Sequence, residues 1–135
     1  MKIRLEKNAL ENPLIEELMR ISGETLSRCY QCGNCSGGCP VSFAMDLAPA
    51  QVMRMLQLGR IDDVALANSM WLCVGCLQCA SRCPQSVSVA AVLEGMRQMT
   101  LRKGEDHEKV REIPVPFLKT APQQAIVCGF RKFVS

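Results

Sequence analysis

Two groups of cysteines are the residues in this sequence whose type and spacing are best suited to chemistry. Each group has the spacing C-x2-C-x2-C-x3-C-P, first from Cys29 to Pro40 and again, displaced by 44 positions, from Cys73 to Pro84. This is the bacterial-type spacing for binding a pair of [4Fe–4S] clusters. The sequence therefore predicts two such clusters with eight cysteine ligands.

The repeat also predicts how the ligands are shared. A cubane cluster needs one thiolate for each of four iron atoms, and in two-cluster ferredoxins the fourth comes from the last cysteine of the other motif. We expect cluster I to be bound by Cys29, Cys32, Cys35 and Cys83. We expect cluster II to be bound by Cys73, Cys76, Cys79 and Cys39.

Zinc sites and disulfides also use pairs of cysteines, but neither explains the third cysteine, the x3 spacing, the proline and the repeat together. The first eight residues, 1–8, lack the apolar stretch of a secretion signal. No apolar run approaches the length needed to cross a bilayer. We therefore predict reduced, iron-loaded cysteines in a cytoplasmic protein that does not insert into a membrane.

The charge of the chain does not favour a nucleic-acid partner. The formal net charge is +3 with the cysteines counted as neutral, and eight thiolates around two oxidised cluster cores would remove roughly four units. No glycine-rich phosphate loop, paired carboxylates or Ser/His/Asp arrangement stands out. We predict no nucleic-acid binding and no catalytic residues, so the chain is expected to carry electrons and to convert no substrate alone.

Helical signals surround both motifs, and no convincing strand precedes residue 110. Asn12 and Gly23 bound a first helix, residues 48–59 form a second, and Ser88 caps a longer one that Gly104 follows. The predicted apolar positions of these helices are Leu14, Leu18 and Ile21, then Val52, Met53 and Leu56, then Val89, Val92, Leu93, Met96 and Met99. The helical residues between the motifs predict an all-α ferredoxin rather than a compact one with strands.

The same pass along the chain predicts its domain organisation. Residues 1–111 are expected to form the two-cluster domain, with residues 1–11 as an N-terminal arm. Residues 112–135 contain three of the four phenylalanines and three prolines, at 114, 116 and 122, which oppose long helices. This tail could fold back or dock a partner, and its segregated aromatic residues favour docking. Cys128 within it is expected to be a buried free thiol.

Five stretches of the sequence resemble the C subunit of heterodisulfide reductase. They are residues 28–40, 45–49, 53–59, 71–73 and 79–85, and the resemblance extends over about residues 12–103. It implies an all-α ferredoxin fold, like the cluster domain in the iron–sulfur subunits of fumarate reductase and succinate dehydrogenase.

The resemblance also implies partners: a flavin-containing A subunit and a cysteine-rich B subunit that carries out the disulfide chemistry, which in methanogens concerns the mixed disulfide of coenzymes M and B. The predicted function is therefore an electron relay between those two subunits. The alternatives are the iron–sulfur module of a quinone-linked membrane oxidoreductase and a free ferredoxin. The terminal substrate, the direction of electron flow and the cluster potentials stay open at this point.

Overall fold

The computed structural model describes residues 11–135, so the predicted N-terminal arm lies outside the described residues except for Glu11. All regular structure in this range is helical, which confirms the predicted all-α ferredoxin class. The α-helices are α1 Pro13–Ser22, α2 Asn34–Gly37, α3 Pro49–Gln57, α4 Ile61–Leu66, α5 Ser69–Leu72, α6 Gln78–Arg82, α7 Val89–Leu101, α8 Val115–Thr120 and α9 Gln123–Phe133. Short 3₁₀ turns cover Leu26–Arg28, Ser42–Ala44 and Val110–Glu112.

The chain divides into two compact units, residues 1–96 and 97–135. The first contains both cysteine motifs, and the second contains α8 and α9. The predicted division into residues 1–111 and 112–135 stays a prediction.

Helix α1 has the predicted ends but a different buried face. The Asn12 side chain accepts a hydrogen bond from the Leu14 N–H at 3.0 Å, and Gly23 ends the helix with φ 72°. Ile15 and Leu18 are buried, whereas Leu14 is exposed, so its predicted place in the apolar stripe is wrong. The reason is tertiary: α1 packs on α7 at Gly95, where an added Cβ would lie 2.9 Å from Leu18 Cδ1.

Side chains of α3, α5 and α7 form much of the buried core of the first unit, and α4 packs on both α3 and α5. The apolar positions predicted for α3 and most of those predicted for α7 are buried, and Ser88 Oγ accepts a hydrogen bond from the Ala91 N–H at 3.2 Å near the start of α7. The buried side chains of these three helices include Val52, Met53, Leu56, Met70, Trp71, Val89, Val92, Leu93 and Met96. This core carries both motif loops on its surface.

The second unit is an amphipathic helical pair. Pro114 and Pro122 each stand directly before a helix, where a missing N–H costs nothing, so the prolines start α8 and α9 rather than prevent them. Phe117, Ile126 and Phe130 line an apolar cavity of about 330 Å³ between the helices. Cys128 is exposed, so the expected buried thiol is wrong.

Candidate metal centre

The two cysteine loops have the same backbone shape. In the first, Gln31 and Gly33 adopt the left-handed conformation with φ 65° and 81°; in the second, Gly75 and Leu77 do so with φ 66° and 60°. These pairs occupy equivalent positions in the two motifs, since each member is displaced by the same 44 residues. Each loop then enters a short helix, α2 or α6, that carries its third cysteine.

One cavity, which we call cavity I, contains the cysteines predicted for cluster I. Its free volume is about 20 Å³. Three of its cysteines belong to the first motif and the fourth, Cys83, ends the second. Apart from the cysteines, its wall has one polar side chain, the amide of Gln31. The residues that line it are Cys29, Gln31, Cys32, Gly33, Cys35, Ala50, Met53, Cys83, Val87 and Val89.

A second cavity, cavity II, has the reciprocal composition and the same free volume of about 20 Å³. Three cysteines come from the second motif and the fourth, Cys39, ends the first. No charged or amide side chain lines it. Its lining residues are Cys39, Val41, Met45, Pro49, Cys73, Val74, Cys76, Leu77, Cys79, Val89, Ala90 and Leu93.

Val89 lines both cavities, so a single buried side chain at the start of α7 forms part of the wall between them. The two motifs are also in direct contact through their equivalent positions 38 and 82. An added Cβ at Gly38 would lie 2.5 Å from Cδ of Arg82, so the arginine side chain crosses the glycine. Glycine at position 38 is therefore what allows α2 and α6 to approach.

The sulfur atoms lie where backbone N–H groups reach them. The Val87 N–H donates to Cys83 Sγ at 3.3 Å in cavity I, and the backbone N–H groups of Ala90 and Ala80 donate to Cys79 in cavity II. Burial nevertheless raises the pKa of the Cys35 and Cys79 thiols. A bound iron atom is the natural counter-charge for such thiolates, and its binding would release their protons.

Within residues 11–135, no three His, Cys, Asp or Glu side chains are placed to hold a single metal ion. A cubane makes a different demand, because each of its four irons takes its own thiolate and the sulfurs do not converge on one point. Four cysteines around an apolar cavity with N–H groups directed at the sulfurs fit that demand.

Three polar side chains that support the loops were not singled out from the sequence. The Gln57 amide donates to the carbonyls of Leu26 at 2.9 Å and Cys29 at 2.7 Å, which holds the entry to the first loop. Ser36 Oγ accepts from the Ala50 N–H at 2.9 Å and so joins α2 to α3. Gln57 lies between the motifs and Ser36 at a variable position of the first motif, so neither has a spacing signal and only the fold reveals these roles.

The third support ties the exit of the first loop to the entry of the second. The Asp46 carboxylate accepts from the Asn68 N–H at 3.0 Å and from the Ser69 hydroxyl at 3.0 Å. The slight burial of Asp46 would raise its pKa, but these hydrogen bonds outweigh it and hold the pKa of Asp46 below its usual value. The pairing fixes residues 46–47 against the start of α5, directly before Cys73.

A wide groove adjoins the first loop. Ile15, Met19 and Leu26 form its apolar side, and Arg54 and Gln57 its polar side. Tyr30 stands at its edge and is mostly exposed. No helix in the described part of the chain has the length and apolar character that crossing a membrane requires.

Comparison with known proteins bears on this arrangement. Residues 25–87, which include both motifs, match the family described as 4Fe-4S dicluster domain. The chain is 32% identical to the iron–sulfur C subunit of CoB–CoM heterodisulfide reductase from Methanopyrus kandleri, over 85% of this chain and 58% of that relative. It is 30% identical to the C subunit of ferredoxin:CoB–CoM heterodisulfide reductase from Methanosarcina mazei, over 73% of this chain and 64% of that relative.

A third relative, the C subunit of H2:CoB–CoM heterodisulfide,ferredoxin reductase from Methanothermobacter thermautotrophicus, is 27% identical over 74% of this chain and 54% of its own. The chain thus spans little more than half the length of the relatives it matches. It is an all-α ferredoxin with a 4Fe–4S dicluster domain, and the match supports [4Fe–4S] clusters as its cofactor. Within that class it is a protein like the C subunit of heterodisulfide reductase, as the sequence motifs predicted.

Proposed function

We propose that this chain is the electron-relay subunit of a heterodisulfide-reductase-like complex. The observation that carries the proposal is the pair of similar cavities, each lined by three cysteines of one motif and the last cysteine of the other. The names of the relatives, which are subunits of such complexes, support membership of one. A flavin-containing A subunit and a cysteine-rich, disulfide-active B subunit are the partners we propose, in the cytoplasm.

The ligand assignment follows the cavities. Cysteines 29, 32, 35 and 83 would hold one cluster and cysteines 73, 76, 79 and 39 the other. When bound, such clusters supply one-electron transfer. The chain itself holds the thiolates, directs N–H groups at them and surrounds them with apolar side chains that exclude water. Hydrogen bonds and solvent access of this kind set the potential of an iron–sulfur site.

Crossed ligation would give the chain two properties. The shared wall at Val89 would keep the two redox centres adjacent, which favours transfer of electrons between them. Each motif would also depend on the other for its fourth ligand, so the loops would order together when metal binds.

The test is the composition of the chain purified without oxygen. We expect about eight iron and eight sulfide per chain and two interacting paramagnetic centres after reduction. Zinc without acid-labile sulfide would overturn the proposal. Affinity purification from the native host should also recover a flavoprotein and a second, cysteine-rich protein. A monomer that reduces many acceptors would instead favour a free ferredoxin. Association with membranes would favour a quinone-linked enzyme.

The C-terminal residues are proposed to contribute to assembly. Truncation after Arg111 removes α8 and α9, whose inner face is apolar, and leaves every motif cysteine in place. We expect normal iron content with a reduced yield of co-purifying partners. Unchanged assembly would show that residues 112–135 do not dock a partner.

A further inference from the structure

The sequence around cavity II is almost free of charge. Charged residues make up 21% of the chain, yet residues 29–45 contain none and residues 64–93 contain only Arg82. These two segments supply every cavity II residue except Pro49. The wall of this cavity is therefore uncharged, and the nearest charged residues along the chain are Asp46, Arg82 and Glu94.

The same rim exposes large apolar side chains. Phe43 is 88% exposed on the 3₁₀ turn Ser42–Ala44, and its neighbours Val41 and Met45 line cavity II. Val74 and Leu77 line the cavity and are also 60% and 57% exposed. Single exposed apolar residues are ordinary, but a group of them at the opening of one cavity marks a contact surface.

Two features at the opening concern electron transfer itself. Cys76 is an exposed cysteine of cavity II, so a ligand proposed for cluster II reaches the surface within this patch. Leu77 beside it adopts a left-handed conformation at φ 60°, which is unfavourable for leucine, whereas the equivalent residue of the first motif is Gly33. Burial of this half-exposed leucine contributes little stability to the fold, and its backbone is strained. Such a residue fits a role in contact with another molecule.

We propose that this face, residues 41–45 with residues 74–77, is the permanent contact with one redox-active subunit of the same complex. The inference rests on the proposed relay function and adds which face makes the contact and the chemistry of the partner. The partner is a protein whose matching surface is apolar and uncharged. It is not a diffusing carrier recruited by charge, because electrostatic steering requires a charged patch that this face lacks.

General features of protein interfaces support this choice. Interface cores are depleted of charge and enriched in aromatic residues, and this face has no charged residue and one highly exposed aromatic side chain, Phe43. A phenylalanine exposed to this extent is the natural anchor, since a few aromatic side chains carry most of the binding energy in interfaces. It also lies outside the wall of cavity II, so its removal leaves the ligand set complete.

The test compares Phe43→Ala with Leu14→Ala in the full chain, purified anaerobically from the native host with its associated subunits. Leu14 is the control because it is another exposed apolar residue, but it lies on α1 beside Glu16 and Glu17. We expect Phe43→Ala to weaken binding to the partner at least about tenfold and the control to change it less than about twofold. The wild-type complex should hold between roughly 0.05 and 0.5 M salt, since no charge pairs sustain it.

A photo-reactive phenylalanine analogue in place of Phe43 identifies the partner, and we expect it to label a protein that contains a flavin or metal of its own. Unchanged association in Phe43→Ala would overturn the proposal. Release of the partner by salt would also overturn it. The same holds if the analogue labels a second copy of the chain, residues 1–10 of this chain, or a protein without a redox group. Iron and sulfide are measured in every sample: their absence from the wild type would refute the relay function itself, whereas normal content with failed labelling would refute only this face.

Discussion

The two cavities have the same ligand pattern and the same loop backbone, yet different surroundings. Cavity I contains the amide of Gln31, which lies 3.2 Å from the Gln57 side chain, and it adjoins a groove with polar and apolar sides. Cavity II is apolar throughout and opens among exposed apolar side chains. The repeat thus predicts the ligands, while the residues between and around the repeats form the different surroundings of the two cavities.

The difference matters for function because the surroundings of an iron–sulfur cluster set its reduction potential. Polar groups and solvent near a cluster stabilise its reduced, more negative state, and an apolar wall disfavours it. Two similar ligand sets in unequal surroundings would therefore hold electrons at unequal energies, which is what a relay with direction requires. The predictions below test how far the two sites are equivalent.

The largest effect is expected from loss of a crossed ligand. Cys39→Ser should lose about four iron per chain, mainly from cavity II, although the residue belongs to the first motif. Iron analysis of double variants shows which cluster is lost: adding Cys76→Ser should remove little more iron, whereas adding Cys32→Ser should empty both sites. If Cys32→Ser adds nothing to Cys39→Ser, the crossed assignment is wrong. Cys128→Ser, an exposed cysteine outside both cavities, should retain all the iron.

The next effect concerns the support that Gln57 gives to the first loop. Gln57→Leu removes donors to two carbonyls, Leu26 and Cys29, and should destabilise the chain by about 1–3 kcal/mol. Thermal unfolding and the rate of iron loss to a chelator would show it. Gln78→Leu makes the same change beside Cys79, where the glutamine is exposed, and should be nearly neutral. Equal losses in both variants would show that the loops are supported alike.

A smaller effect should have opposite signs in the two loops. Gly33→Ala introduces a side chain at φ 81° and should destabilise by about 1 kcal/mol, whereas Leu77→Gly relieves a leucine at φ 60° and should stabilise by up to about 1 kcal/mol. The unfolding temperatures of the two variants under anaerobic conditions measure the difference. Shifts in the same direction would show that the loops do not share a backbone shape in solution.

The smallest effect is expected at Asp46, whose hydrogen bonds connect the exit of the first loop to the entry of the second. Asp46→Asn weakens the hydrogen bonds to Asn68 and Ser69 and should lower stability by up to about 1 kcal/mol. Because the pKa of Asp46 is lowered in the folded chain, its stabilisation is complete above about pH 4 and fades as pH falls through the folded pKa. The decrease in unfolding temperature should therefore be the same at pH 6 and pH 8. A decrease present at only one of these values would assign the effect to another group.

Much of the fold was readable in the sequence because local signals agreed with the packing. Asn12 and Gly23 end α1 as predicted, and Val52, Met53 and Leu56 are the buried face of α3. The errors fall where local patterns were ambiguous. Both Leu14 and Ile15 are apolar, and the contact of α1 with Gly95 decides which one is buried. Cys128 is apolar in character but lies on the outer side of α9, which no short pattern reveals.

The sequence by itself determined the class of cofactor, the helical fold and the likeness to the C subunits, because cysteine spacing and helix signals act over a few residues. Only the tertiary structure decided how the surroundings of the two cavities differ. Three features join residues that are far apart in the chain. They are the wall that Val89 contributes to both cavities, the hydrogen bond from Gln57 to the first loop, and the exposed apolar side chains of residues 41–45 and 74–77. Such contacts depend on packing between helices, which sequence periodicity does not specify.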